Sequence, residues 1–213
     1  PDLKENFDLA NDRMFMTGNG EVTSTNSAEL IGNAHGTSVA SCISTVTDTL
    51  PSQGIAGTAW DLTMLPLGFD GTIATEVAAF EYAIEQGVDI INASFGGIEY
   101  SYTEHEAVYK LEQAGILLVT AAGNYDMNND LVTDYPSGFT NPNIISVASS
   151  NQQDQLSSWS QFGKLSVDIM APGENIYTAF SDNGYQFSEG TSFATGYVSG
   201  VAALIKARFP DAS

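Results

Sequence analysis

Residues 72–124 read TIATEVAAFEYAIEQGVDIINASFGGIEYSYTEHEAVYKLEQAGILLVTAAGN, and this stretch decides the fold. Val77, Phe80, Ala83 and Ile84 recur at helical spacing, and Gly87 is placed to end that helix. Val88 to Asn92 follows as a short, nearly unbroken apolar run, which predicts a strand buried on both faces. The pattern then repeats, with an amphipathic helix from Glu104 to Ala114 closed by Gly115 and a second strand from Ile116 to Thr120. Helix, strand, helix, strand at this spacing predicts a mainly parallel sheet covered on both faces. Both strands run directly into small polar, Gly-containing clusters, Asn92-Ala93-Ser94-Phe95-Gly96-Gly97 and Ala121-Ala122-Gly123-Asn124. In a parallel sheet such clusters share one rim, where ligands bind beyond the strand ends.

The pattern extends outward in both directions. Residues 144–148 and 167–170 read as further short strands, and Ser192 to Phe209 as an apolar helix with Lys206 and Arg208 near its C-terminal dipole end. Upstream, residues 36–46 fit a helix of small residues and 62–67 a strand, whereas the chain up to Asn33 is polar and without sustained periodicity. The expectation is an α/β fold of three layers, a mainly parallel twisted sheet with helices on both faces. With no repeat or linker in the sequence, residues 1–213 form a single domain.

Composition narrows the function. The 26 acidic residues outnumber 6 basic ones, giving a formal charge of −20. Six cations cannot neutralise a row of phosphates, so nucleic acid is excluded as a partner. No apolar stretch approaches the roughly 18–20 residues of a membrane span, which excludes a membrane protein. The acidic field favours cationic ligands, although it serves equally to keep the chain dissolved. Cys42 stands alone, so there is no internal disulfide, and its apolar neighbours make it a small buried thiol. Two histidines and one cysteine make a transition-metal site a poor reading, and His105, between Glu104 and Glu106, reads as a solvated surface residue.

Three segments carry chemistry. His35 opens a small-residue helix, Asn124 follows a buried strand, and Ser192 stands at the start of the most apolar helix. Singly each has a plain structural role, as a turn residue, a left-handed turn former and an N-cap. Together they are the parts for acyl transfer: a hydroxyl nucleophile, an imidazole to take its proton, and an amide to meet the oxyanion.

Five segments resemble the subtilisin-like serine proteases and lie in that family's order: His-Gly-Thr-Ser-Val-Ala at 35–40, Asn-Ala-Ser-Phe-Gly-Gly at 92–97, Ala-Ala-Gly-Asn at 121–124, Ala-Pro-Gly at 171–173 and Gly-Thr-Ser-Phe-Ala at 190–194. The resemblance implies a serine endopeptidase acting on proteins or peptides, with His35 as general base, Ser192 as nucleophile and Asn124 as oxyanion donor. Ser94, Phe95 and Gly96 would pair with the substrate backbone as an added strand. Ala121, Ala122 and Gly123 would wall the pocket for the residue before the scissile bond. Asp134 falls near the segment that closes this pocket, where an acid would favour Arg or Lys. No cofactor is required; structural calcium is an expectation for Asp2, with the oxygen-rich loop near Asp48 as an added source of ligands. Secretion, a pro-segment and flanking domains follow from family habit.

The resemblance also implies an absence. In the family, a strand ending in Asp, a small residue and Gly lies just upstream of a segment like Pro1-Asp2-Leu3, so the triad aspartate and the central strand carrying it would precede residue 1. A closing helix and strand would follow residue 213. Without the aspartate, the rival reading is a catalytically silent peptide-binding domain of the same fold.

Overall fold

The computed structural model describes residues 3, 6–18, 21–25, 34–45, 54–180 and 184–211. Among these described residues, nine strands and four helices follow in the order β1 (Arg13–Gly18), β2 (Glu21–Thr25), α1 (Ala34–Ile43), β3 (Leu67–Phe69), α2 (Ile73–Gln86), β4 (Ile90–Ala93), α3 (Tyr102–Gln113), β5 (Leu117–Ala121), β6 (Ile144–Ser150), β7 (Ile169–Pro172), β8 (Ile176–Phe180), β9 (Gly184–Ser188) and α4 (Thr191–Arg208). Strands β4, β5, β6 and β7 form one parallel sheet in chain order.

Alternation along β5 explains the layers. Leu118 packs with Phe80, Val108 and Leu111 of α2 and α3, and its neighbour Val119 packs on the opposite face with Val147 and Ala194 of α4. Both are fully buried, and each such side chain contributes about 1.5–3 kcal/mol. Thr72 caps α2 by accepting from the Thr75 amide, and Gly87 ends it in the left-handed region at φ 68°, which glycine enters without strain.

The sequence reading is corrected at its edges. The polar N-terminal stretch forms an antiparallel hairpin, β1 with β2, because short exposed strands need no apolar periodicity. A second hairpin, β8 with β9, also escaped the period-based reading. The strand expected at 62–67 starts only at Leu67, after Pro66, which has no N–H to give a ladder.

The parallel sheet is interrupted. β3 pairs with β1 but not with β4, and a cavity of about 1680 Å³ lies against both, lined by Leu67 and Phe69 on one side and Ile90, Ile91 and Asn92 on the other. Ile90 and Ile91 are consequently only half-buried, whereas the last four residues of β5 are fully buried.

Helices α1 and α4 approach closely at small residues. A Cβ on Gly200 would meet Thr58 Cβ at 2.5 Å and the Ile43 carbonyl at 3.0 Å; one on Gly196 would meet Cys42 Cβ at 3.0 Å. Gly196 therefore serves the close packing of α4 on α1. Gly200→Ala should cost about 1–3 kcal/mol by overpacking, read as a lower urea midpoint. An unchanged midpoint would mean the two helices can separate freely.

Candidate active site

The ends of β4 and β5, the start of α4 and the start of α1 converge on one rim. Ser192 is the second residue of α4 and not its cap; the cap is Gly190, at φ 148°. That backbone conformation suits glycine alone, and it turns the chain sharply into the helix. Ser192 is 8% exposed, and its Oγ donates to the Ser94 carbonyl at 3.2 Å. In return Ser94 Oγ donates to the Ser192 carbonyl at 2.9 Å. Behind this exchange, Asn92 Nδ2 donates to Ser94 Oγ and Ser199 Oγ donates to Asn92 Oδ1, each at 2.9 Å. The tail of β4 is thus pinned to α4 by a hydrogen-bonded chain of side chains.

Asn124 lies beyond β5 and is exposed. Its Oδ1 accepts from the Thr191 amide at 2.9 Å and from Thr191 Oγ1 at 3.0 Å. Two donors on Oδ1 fix which way the amide points and leave its Nδ2 group for a ligand. Gly123, at φ 110°, donates its N–H to Thr191 Oγ1 at 3.3 Å, and Ala121 and Ala122 behind it are buried.

His35 is the second residue of α1, with an edge open to solvent. Its ring meets Phe193, the residue after Ser192, edge-on at 6.2 Å between centroids. Partial burial lowers the imidazole pKa below its ordinary value, which keeps the ring neutral and able to accept a proton near pH 7.

Phe95 is half-buried and meets Phe69 edge-on at 4.8 Å. Gly97 and Tyr135 exchange backbone hydrogen bonds of 2.9 and 2.7 Å, which brings the neighbouring Gly96 over Asp134. A Cβ on Gly96 would collide with Asp134 Oδ1, so only glycine fits above this acid. Burial pushes the Asp134 carboxyl up to about 6, against a lowering hydrogen bond from Gln161. His35, Ser94, Phe95, Gly96, Ala121, Ala122, Gly123, Asn124, Asp134 and Ser192 therefore share one region. Asp2 and Asp48 lie outside the described residues, and no group of three or more His, Cys, Asp or Glu is placed to hold a metal among the described residues.

His105 is not a solvated surface residue. Its ring stacks on Phe139 at 4.3 Å and 3°, and it shares hydrogen bonds with Asn141 and Tyr100. Sequence reasoning also missed Glu76 and Glu104. Each stands in the first turn of a helix, where an acid serves the dipole; only the packing of α2 on α3 buries both, to 4% and 2% exposure. Burial first, and then the facing acid, raises Glu76 well above the carboxylate range; burial, followed by Asp134, raises Glu104 against a lowering bond to Glu76. The folded chain thus holds protons that the unfolded chain releases above about pH 4.3, the ordinary glutamate value. Stability should therefore fall as pH rises from about 5 to 8, by about 1.4 kcal/mol per pH unit for each proton retained. Glu76→Gln should flatten this slope in urea titrations; an unchanged slope would locate the effect elsewhere.

Comparison with known proteins agrees with this geometry. The profile of the subtilase family matches residues 1–213. A thermostable alkaline protease of Halalkalibacterium halodurans is 36% identical over 181 residues, 84% of this chain and 48% of that protein. Subtilisin DY of Bacillus licheniformis is 33% identical over 185 residues, covering 85% and 66%. The chain thus spans from about half to two thirds of the length of these two relatives. Among solved structures, sphericase aligns with a TM-score of 0.82 at 28% identity, over 100% of this chain and 74% of that one. A cold-adapted subtilisin-like serine proteinase aligns at 0.72 and 29%, over 83% and 62%. With the family profile matched from end to end and the parallel sheet shared with these structures, the chain belongs to the subtilase family.

Proposed function

We propose that this domain is a serine endopeptidase that cleaves peptide bonds through an acyl-enzyme. The observation that carries the reading is the fixed amide of Asn124, bonded through Oδ1 to Thr191, the residue before Ser192. In the reaction, Ser192 Oγ attacks the substrate carbonyl carbon while the His35 imidazole takes the hydroxyl proton. The carbonyl oxygen becomes an oxyanion between Asn124 Nδ2 and the Ser192 amide, one of the N–H groups that a helix start leaves without an intrahelical partner. Collapse breaks the C–N bond, and the leaving amine receives the proton from His35. Water then attacks the ester, with His35 again the base, and frees Ser192.

Ser94-Phe95-Gly96 holds the substrate backbone as an added strand, and Ala121, Ala122 and Gly123 wall the primary pocket above Asp134. The cavity between β3 and β4 supports a further part of the reading: a central strand from outside residues 1–213 fills it and supplies the acid that orients His35. Secretion and a pro-segment fit the same reading. Rapid mixing of the full-length polypeptide with an activated p-nitrophenyl ester should give a burst of one nitrophenolate per Ser192, absent in Ser192→Ala. A full-length polypeptide without a burst would instead support the silent peptide-binding domain. One observation favours that second reading: burial alone acts on the His35 pKa, with no contribution from a carboxylate among the described residues.

A further inference from the structure

The segment that would receive the substrate backbone is held from behind. Gly97 donates its N–H to the Tyr135 carbonyl at 2.9 Å and accepts from the Tyr135 N–H at 2.7 Å. Both backbone groups of Gly97 are therefore taken, and the edge left for a peptide is that of Ser94 to Gly96. Tyr135 in turn belongs to an aromatic cluster. Its ring lies 4.8 Å from Phe139 and 5.4 Å from Tyr100, and Phe139 stacks on His105 at 4.3 Å. Three pieces of chain meet in this cluster: the tail of β4 through Tyr100, the first turns of α3 through His105, and the loop leading to β6 through Tyr135 and Phe139.

His105 is the polar centre of the cluster, and a chain of bonds decides where its hydrogen sits. The Glu112 carboxylate is an acceptor, so Asn141 presents Nδ2 to it, at 2.7 Å. That turns Asn141 Oδ1 toward His105, whose Nε2 then carries the hydrogen and donates at 3.1 Å. In the neutral ring Nδ1 is left as an acceptor, and the Tyr100 hydroxyl donates to it at 3.2 Å. Both ring nitrogens are thus engaged, which leaves His105 no free nitrogen to serve as a second base. Tyr100 is 54% exposed, and its hydroxyl bond to a ring already fixed by Phe139 and Asn141 gives it one orientation.

We propose that His105 is a positioning residue for substrate binding. By stacking on Phe139 and orienting Tyr100, it holds the Gly97–Tyr135 pair and, with it, the placement of Ser94–Gly96 that a peptide backbone requires. The proposal rests on the reading of Ser94–Gly96 as the substrate-pairing segment and names the side chain that sets it. Loosening this support weakens extended peptides, whose affinity comes from main-chain hydrogen bonds along the segment. It leaves bond breaking alone, because Asn124 is fixed by Thr191 and His35 is carried by α1.

The test measures kcat and KM of the full-length polypeptide on two substrates. Acetyl-tetra-alanine p-nitroanilide can lie along Ser94–Gly96, whereas p-nitrophenyl acetate has no peptide backbone to pair. Tyr100→Phe removes one hydroxyl from an exposed ring, and His105→Phe keeps a ring against Phe139 while losing both hydrogen bonds. Each should raise KM for the peptide about threefold to tenfold, with kcat and the hydrolysis of p-nitrophenyl acetate nearly unchanged. The double variant should be no worse than His105→Phe alone, since both changes remove the same Tyr100 bond. An unchanged peptide KM in both variants, a loss confined to kcat, or an equal loss on p-nitrophenyl acetate would overturn the proposal. A wild type that cleaves neither substrate would remove the protease reading instead. The same variants are then compared by Kd for acetyl-tetra-alanine amide, where weaker binding supports the positioning role and equal affinities overturn it.

Discussion

Replacing His35 with alanine should lower kcat by about 10⁶, the size of loss known for removing the base or the nucleophile of a subtilase triad, with KM little changed. The reason lies in the hydroxyl. Ser192 Oγ donates to the Ser94 carbonyl, a neutral acceptor that cannot carry the proton away, so the proposed reaction needs the imidazole as its base. Substrate contacts along Ser94–Gly96 do not involve the imidazole, so binding should survive. The same reasoning gives a pH signature. Among the described residues, burial alone lowers the His35 pKa below its ordinary range. A carboxylate arriving in the cavity between β3 and β4 would raise it again. The acidic limb of kcat/KM should therefore lie below the ordinary histidine range unless a carboxylate faces His35. A loss below about tenfold in His35→Ala would remove the imidazole from the reaction.

Asn124→Ala should lower kcat by about 10²–10³, the range known for losing one oxyanion donor in a subtilase, again with KM nearly constant. The donor is needed only once the carbonyl oxygen has gained charge, so its removal leaves ground-state binding unaltered. Asn124→Asp is the sharper variant. It keeps the shape and the Oδ1 contacts to Thr191 while setting a carboxylate against the oxyanion, and it should lose more than alanine does. Equal activity of the wild type and Asn124→Ala would show that this amide is structural.

The fold was largely legible because its central elements obey simple periods. Val77, Phe80, Ala83 and Ile84 mark α2, and its Gly87 end lies where the sequence puts it. The parallel sheet followed from apolar strands alternating with helices, and α4 from its run of small apolar residues. The two hairpins were missed because exposed strands such as β1 and β9 carry no two-residue apolar pattern. At the site, His35, Asn124 and Ser192 stood out through local motifs of small residues, and the structure sets all three on one rim. Gln161, Glu76 and Glu104 were not. Nothing near them in sequence separates a buried acid from a solvated one; their burial depends on contacts between α2, α3 and two loops far apart in the chain. His105 misled for the same reason, since its stacking partner Phe139 lies 34 residues away.

The central claim is that His35 activates Ser192 as a nucleophile. Treating the full-length polypeptide with a fluorophosphonate and mapping the adduct by mass spectrometry tests it most directly. The prediction is a single phosphonylated residue, Ser192, whose labelling rate collapses in His35→Ala. Absence of an adduct, or labelling of Ser192 undiminished by His35→Ala, would contradict it.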